Sequence, residues 1–231
     1  MRLKTVAGAV LGALIACSLC ALPVALAEEV VPGGSAPVIQ DPSEVEPNPV
    51  PAESYKGSSF AVGGADYEVT KISASAIDKG SCEAQLTRFT GSGSSFKIPA
   101  TVTYTAGGYG LVKLKVTSIA KNAFNNAKGH KLKSVTIGEN VIHIGKAAFK
   151  NCKKLKKITY QGKALGNKTT FYTDKKRKGK IKYSPIEKEA FKGVPAACDA
   201  FTPSSTDFRK LMYKQGVRSA MTYAGFQGRV F

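Results

Sequence analysis

Two interleaved apolar frames organise the middle of the chain. The first, V-x-x-I-x-x-x-A-F, runs from Val116 to Phe124 and recurs from Val141 to Phe149, an offset of 25 residues. It returns a third time, with Tyr183 in the first position, through Ile186 and Ala190 to Phe191, 42 residues after the second copy. A second frame follows the first two copies, as Leu132-x-x-Val135-x-Ile137 and Leu155-x-x-Ile158-x-Tyr160. Repetition at this period marks a stack of coils. Each coil offers a short strand whose alternate apolar residues point inward, and a turn in which the Ala-Phe pair fills the opposite side. No coil can bury these faces alone, so stability resides between neighbours. The expected fold class is a mainly β solenoid, with coils over residues 111–201 and an insertion at 161–182 protruding as a loop.

Both ends of such a stack need covering. Over residues 58–110 the pattern is β: Tyr67–Ile72, Glu83–Phe89 and Phe96–Tyr104 alternate apolar and polar residues between Gly and Ser clusters. Alternation of that kind predicts antiparallel strands with one wet face, an N-terminal β cap. Pro99 belongs at an edge or a strand boundary. Residues 202–231 predict a C-terminal helical cap and tail. Ser204 and Asp207 are spaced as a capping box, Phe208, Leu211 and Met212 have helical spacing, and Gly216 follows.

The first 57 residues are different. Arg2 and Lys4 precede an uncharged, largely apolar run from Thr5 to Ala27, which ends Ala25-Leu26-Ala27 before Glu28-Glu29. Residues 1–27 therefore read as a secretory signal peptide, giving a secreted or cell-surface protein with no membrane span in the mature chain. An uncleaved span is one alternative. A lipobox at Leu14-Ile15-Ala16-Cys17, with the lipid on Cys17, is another. Residues 28–57 hold six of the eleven prolines, six acids and one base, the composition of a solvated, disordered spacer.

Charge then suggests where partners bind. Residues 111–192 carry 22 Lys or Arg against four acids. Part of this excess falls in the insertion, as Lys175, Lys176, Arg177, Lys178 and Lys180. Clustered like charge draws acidic partners and makes their capture salt-sensitive. Solvation of the outer coils is the competing reading of these lysines. In the strands, Ser134 and Thr136 align with Lys157 and Thr159, and all four must face outward if Val135, Ile137, Ile158 and Tyr160 face inward. These nine residues form the candidate ligand-binding set, with extracellular proteins, acidic polysaccharides or anionic wall polymers as partners. Nucleic acid is not expected, because Tyr160 and Tyr183 occupy apolar frame positions that packing explains first. A monomer is expected.

Enzymatic chemistry finds little support. There is no phosphate-cradling glycine loop and no G-x-S-x-G elbow, and two histidines, His130 and His143, are too few for a usual zinc site. No cofactor is expected. Cys152 and His143 are the sole nucleophile–base candidates, and Cys152 stands where the repeat accepts a small buried residue. Cys82, Cys152 and Cys198, an odd number at wide spacing, are not a disulfide framework; three reduced thiols, or one pair and a free thiol, both fit. Asn167-Lys168-Thr169 is a glycosylation sequon, meaningful only in a eukaryotic host.

Val116–Phe124, Leu132–Ile137, Val141–Phe149, Asn151-Cys152, Leu155–Tyr160 and Ile186–Phe191 together resemble the BspA-like leucine-rich-repeat family of bacterial surface proteins. Phe96–Tyr104 resembles its opening strand and Ala197–Gln215 its closing segment. The resemblance covers roughly residues 60–215 and implies a non-enzymatic binding module or adhesin. The array is short beside those of many relatives, and an evident wall-sorting signal is missing after Gly225.

Overall fold

The computed structural model describes residues 50–162, 165, 170–171, 175–177, 180–203 and 208–231, with backbone alone at 171 and 208–215. The expected signal peptide, the lipobox and most of the spacer lie outside these residues. The spacer was expected to reach residue 57, but Ala52–Tyr55 already form a 3-10 turn with Ala52 fully buried. Tyr55 packs edge-on to Tyr104, 6.1 Å between ring centroids, and its hydroxyl donates to the Gly107 carbonyl (3.1 Å). An alanine and a tyrosine with an apolar surface to cover place residues 52–55 in the folded part of the chain.

Next come β1 (Ser59–Val62) and β2 (Ala65–Lys71), joined across Gly63 and Gly64, both at positive φ as a two-residue hairpin turn requires. A short helix, α1 (Ala74–Asp78), is capped by the Ser73 hydroxyl, which accepts from Ala76 N–H. It leads into β3 (Glu83–Phe89), antiparallel to β2. β4 (Ser95–Lys97) and β5 (Thr101–Ala106) follow, with Pro99 between them at a strand boundary. The ten-residue β6 (Gly110–Ile119) pairs antiparallel with β5 through its first half.

Not all of residues 58–110 is antiparallel, which corrects the sequence expectation. β3 runs parallel to the second half of β6, with Leu86 opposite Ile119, and β4 runs parallel to β7 (Ser134–Ile137). Residues 83–97 thus already contribute strands of the repeating kind, while β6 belongs to both pairing regimes. Alternation fixes which face of a strand is buried; it is silent about the direction of its partner.

From here three parallel columns run through the frames. In the first, Leu86, Ile119, Ile144 of β8 (His143–Ile144) and Ile186 stand opposite one another in turn, all fully buried. In the second, Phe89, Phe124, Phe149 and Phe191 stack with centroids 5.5, 4.6 and 5.3 Å apart, and Phe226 closes the column edge-on. Backbone rungs follow the rings: Phe89, Phe124, Phe149 and Phe191 each donate N–H to the carbonyl of Ala123, Ala148, Ala190 and Ala224 respectively. The Ala of each A-F pair is small because the neighbouring backbone must approach this closely. In the third column, β4, β7, β9 (Lys157–Tyr160) and β12 (Asp199–Phe201) pair in parallel, placing Phe96, Val135, Ile158 and Ala200 in register.

Two residues before Phe124, Phe149 and Phe191 the chain turns left-handed, at Asn122 (φ 60°), Ala147 (56°) and Glu189 (62°). Asn tolerates this region, whereas a Cβ-bearing Ala does so at a cost. Ala147→Gly is accordingly expected to stabilise the protein by up to about 1 kcal/mol, read as a higher denaturation midpoint.

The insertion folds on itself, β10 (Thr170–Phe171) pairing antiparallel with β11 (Ile181–Tyr183) as a separate two-stranded sheet. At the other end, α2 (Phe208–Tyr223) confirms a helix but not its expected extent. Gly216 does not end it. Gly216 is itself buried, and the helix continues so that Val217, Ala220, Met221 and, just beyond, Ala224 are buried at i, i+3, i+4 and i+7. The capping-box pair Ser204/Asp207 and the side chains of Phe208, Leu211 and Met212 lie outside the described residues. After the helix the chain returns as β13 (Arg229–Val230), parallel to β12, so the tail is one more strand of the third column.

Candidate functional site

Period-two alternation in the third column leaves two rows of side chains on its outer face. Val135, Ile137, Ile158, Tyr160, Ala200 and Val230 are buried beneath. The first row is Ser95, Ser134, Lys157, Asp199 and Arg229, and the second is Lys97, Thr136, Thr159 and Phe201. Phe231 extends the second row, its ring stacked on Phe201 at 5.3 Å and 18°. Of the candidates from sequence, Ser134 pairs with Lys157 and Thr136 with Thr159, so the structure brings these four together on adjacent strands.

The far end of the strip is aromatic and cationic. Lys157 Nζ lies 5.0 Å from the Phe201 centroid, and the Arg229 guanidinium lies 5.1 Å from that of Phe231. Arg229 also donates to both carboxylate oxygens of Asp199, each at 3.0 Å, a bidentate fork. Hydroxyls at one end and two stacked rings flanked by cations at the other can hydrogen-bond and pack against a ligand laid across the strands. Sequence reasoning missed Asp199, Phe201, Arg229 and Phe231. A faint signal exists: Asp199-Ala200-Phe201 and Arg229-Val230-Phe231 share a polar–aliphatic–Phe pattern, too short to register without coordinates.

The other candidates are elsewhere. Lys175, Lys176 and Arg177 are exposed in the turn between β10 and β11, and Lys180 is exposed directly before β11. They do not join the third column. Lys178 and the 167–169 sequon lie outside the described residues.

The cysteines are core. Cys82, Cys152 and Cys198 are all reduced and buried. The Cys152 thiol donates to the Phe124 carbonyl at 3.7 Å, and burial pushes its pKa up to about 12. Burial likewise pushes Cys198 up to about 12 and raises Cys82. Such thiols are protonated at neutral pH and poor nucleophiles. His143 faces Glu187 instead (3.2 Å), whose other oxygen accepts Lys146 N–H at 2.9 Å. Iodoacetamide at pH 8 is therefore expected to leave Cys152 and Cys198 unmodified in the folded chain and to modify both in denaturant, as mass spectrometry would show. Because the folded pKa values lie above the unfolded value near 9, the folded state holds these protons longer. Stability is then unaffected below pH 9 and falls as pH rises from there towards 12.

Among the described residues no three His, Cys, Asp or Glu side chains are grouped to hold a metal ion, and no helix is long and apolar enough to cross a membrane. An open depression of about 660 Å³ between Lys188, Glu189, Lys192, Val194 and Tyr223 contains no paired nucleophile and base.

Residues 112–206 match the family described as BspA type Leucine rich repeat region, in six copies. Among solved structures, a leucine rich cell surface protein from Faecalibacterium prausnitzii is 29% identical over 47% of this chain and 24% of its own, with a TM-score of 0.36. A leucine-rich repeat protein from Bacteroides capillosus is 26% identical over 47% of this chain and 74% of its own, TM-score 0.34. One from T. pallidum is 19% identical over 62% and 52%, TM-score 0.38. The chain thus spans about a quarter of the length of the Faecalibacterium protein. No curated protein matches.

Proposed function

Residues 112–206 are a BspA-type leucine-rich-repeat region, and from that premise we propose that the chain is a secreted, surface-associated, non-enzymatic binding module. In this reading the parallel columns are a short solenoid, the antiparallel strands of residues 58–110 and helix α2 close its two ends, and residues 1–27 direct export. The ligand is an extracellular protein laid across the outer face of the third column. The observation that carries this reading is the register of that face: Ser134 beside Lys157, Thr136 beside Thr159, and then the Phe201–Phe231 stack. Polar strand residues in register above a buried apolar layer offer a rigid, pre-organised contact surface, with an aromatic anchor of the sort that dominates interface energies. The basic hairpin adds salt-sensitive attraction.

Capture of extracellular proteins by the immobilised chain, at two salt concentrations, tests it. Thr136→Arg with Thr159→Arg is expected to abolish specific capture at both salts. Lys175→Ser, Lys176→Ser and Arg177→Ser together are expected to weaken it chiefly at low salt. Capture unchanged by the threonine pair would remove the outer face from the account. A second reading, retention on anionic wall polymers without a protein ligand, is favoured by the 22 Lys or Arg of residues 111–192.

A further inference from the structure

Four lysines crowd the approaches to two neighbouring strands. Lys133 directly precedes β7, Lys156 directly precedes β9, and Lys153 and Lys154 lie in the turn before it. The Lys133 carbonyl accepts from both Lys156 and Lys157 N–H (2.8 and 3.2 Å), so Lys133 and Lys156 face each other across the ladder, about 4.8 Å of strand spacing apart. Like charges opposed on adjacent strands are destabilising, and none of the four ammonium groups has a carboxylate partner among the described residues. Asp199, on the next strand of the same ladder, gives both oxygens to Arg229. In the third coil the charge stops. Since Asp199 stands opposite Lys157, Pro195 and Ala197 occupy the places of Lys153 and Leu155. Above the fully buried Leu155 they floor an open depression of about 440 Å³ whose rim is the four lysines.

We propose that this depression binds an acidic polysaccharide. Its uronate or sulfate groups meet Lys133, Lys153, Lys154 and Lys156, and the C–H face of a sugar ring rests on Pro195 and Ala197. The alternatives fit the surroundings less well. A nucleobase would use an aromatic platform, and no aromatic residue lines the depression. An acyl chain needs an enclosed apolar channel, whereas this site is open. A bare phosphate makes no use of the apolar floor. The assignment rests on reading the chain as a binding module, but it gives glycan recognition to residues other than the Thr136/Thr159 row and the basic hairpin.

Fluorescence anisotropy with a labelled chondroitin sulfate octasaccharide and the full chain tests it. Replacing Lys133, Lys153, Lys154 and Lys156 by Ser is expected to weaken binding at least about tenfold and to flatten its salt dependence. Ala197→Glu, a single change at an exposed floor position, is expected to weaken it similarly with the fold intact. Lys175→Ser, Lys176→Ser and Arg177→Ser together are expected to change it by less than about twofold, and inorganic polyphosphate to compete at least about tenfold less well per charge. Octasaccharide binding that survives the four lysine changes, that depends on the hairpin, or that polyphosphate matches would overturn the assignment. Absence of any glycan binding in a chain whose protein capture still depends on Thr136 and Thr159 would overturn it too, leaving the module reading in place.

Discussion

Phe149→Ala is expected to lower the free energy of unfolding by about 3–5 kcal/mol, the range for truncating a fully buried phenylalanine. Phe149 has no exposed surface and lies between Phe124 at 4.6 Å and Phe191 at 5.3 Å, nearly parallel to both. Truncation removes two ring contacts and opens a void that the rungs from Phe124 and Phe149 N–H prevent from collapsing. Coils on either side then lose their shared layer, so the denaturation slope is expected to fall along with the midpoint. Phe201→Ala offers the contrast. Its ring lies on the half-exposed outer face, and its loss is expected to cost under about 1 kcal/mol. Equal costs at the two positions, measured by urea titration, would show that the phenylalanines do not form one buried column.

Asn126→Ala is expected to cost about 2–4 kcal/mol, from four hydrogen bonds each worth about 1 kcal/mol net. The Asn126 amide donates to the Phe89 and Ala123 carbonyls (3.1 and 3.3 Å), and its oxygen accepts from Lys128 and Gly129 N–H (3.0 and 2.8 Å). One side chain thereby ties the turn after Phe124 to β3 in the preceding layer. Asn126→Asp keeps the acceptor and loses both donors, so an intermediate cost is expected. Gly129→Ala in the same turn is expected to be at least as damaging as Asn126→Asp, since its new Cβ would meet the Phe124 carbonyl. A loss for Asn126→Ala under about 0.5 kcal/mol would mean that this turn is not held by its side chain.

What could be read without coordinates follows the physics of the frames. A-F and L-x-x-I-x-I recur because each coil meets an identical neighbour, so the Phe124, Phe149, Phe191 column and the Val135–Ile158 register were legible at once. So was the outward direction of Ser134, Thr136, Lys157 and Thr159, which period-two geometry dictates. The terminal layers were not, because there the neighbour changes. Phe89 and Phe96 join the parallel columns from strands whose alternation serves an antiparallel sheet equally well. Phe226 and β13 join from a tail of seven residues whose one echo of the array, Arg229-Val230-Phe231, is too short to register. Helix α2 misled for another reason: a glycine that ends many helices is here buried within one. The lysine-rimmed depression depends on Pro195 and Ala197 standing opposite Lys153 and Leu155. The 42-residue offset of the A-F frame carries this spacing, and the register β9–β12 shows that the segments lie side by side.

The register of the third column is the most direct point of attack on the whole account. Thr136 and Thr159 are paired across parallel strands, at a spacing a disulfide can bridge. With the native thiols buried, Thr136→Cys/Thr159→Cys is expected to form an intramolecular disulfide under mild oxidation, found by mass spectrometry of the digested protein. Val135→Cys/Thr159→Cys, whose side chains point to opposite faces, is expected to form none. Failure of the first pair in a folded chain, or crosslinking of the second, would contradict the stacked coils and the surface proposed upon them.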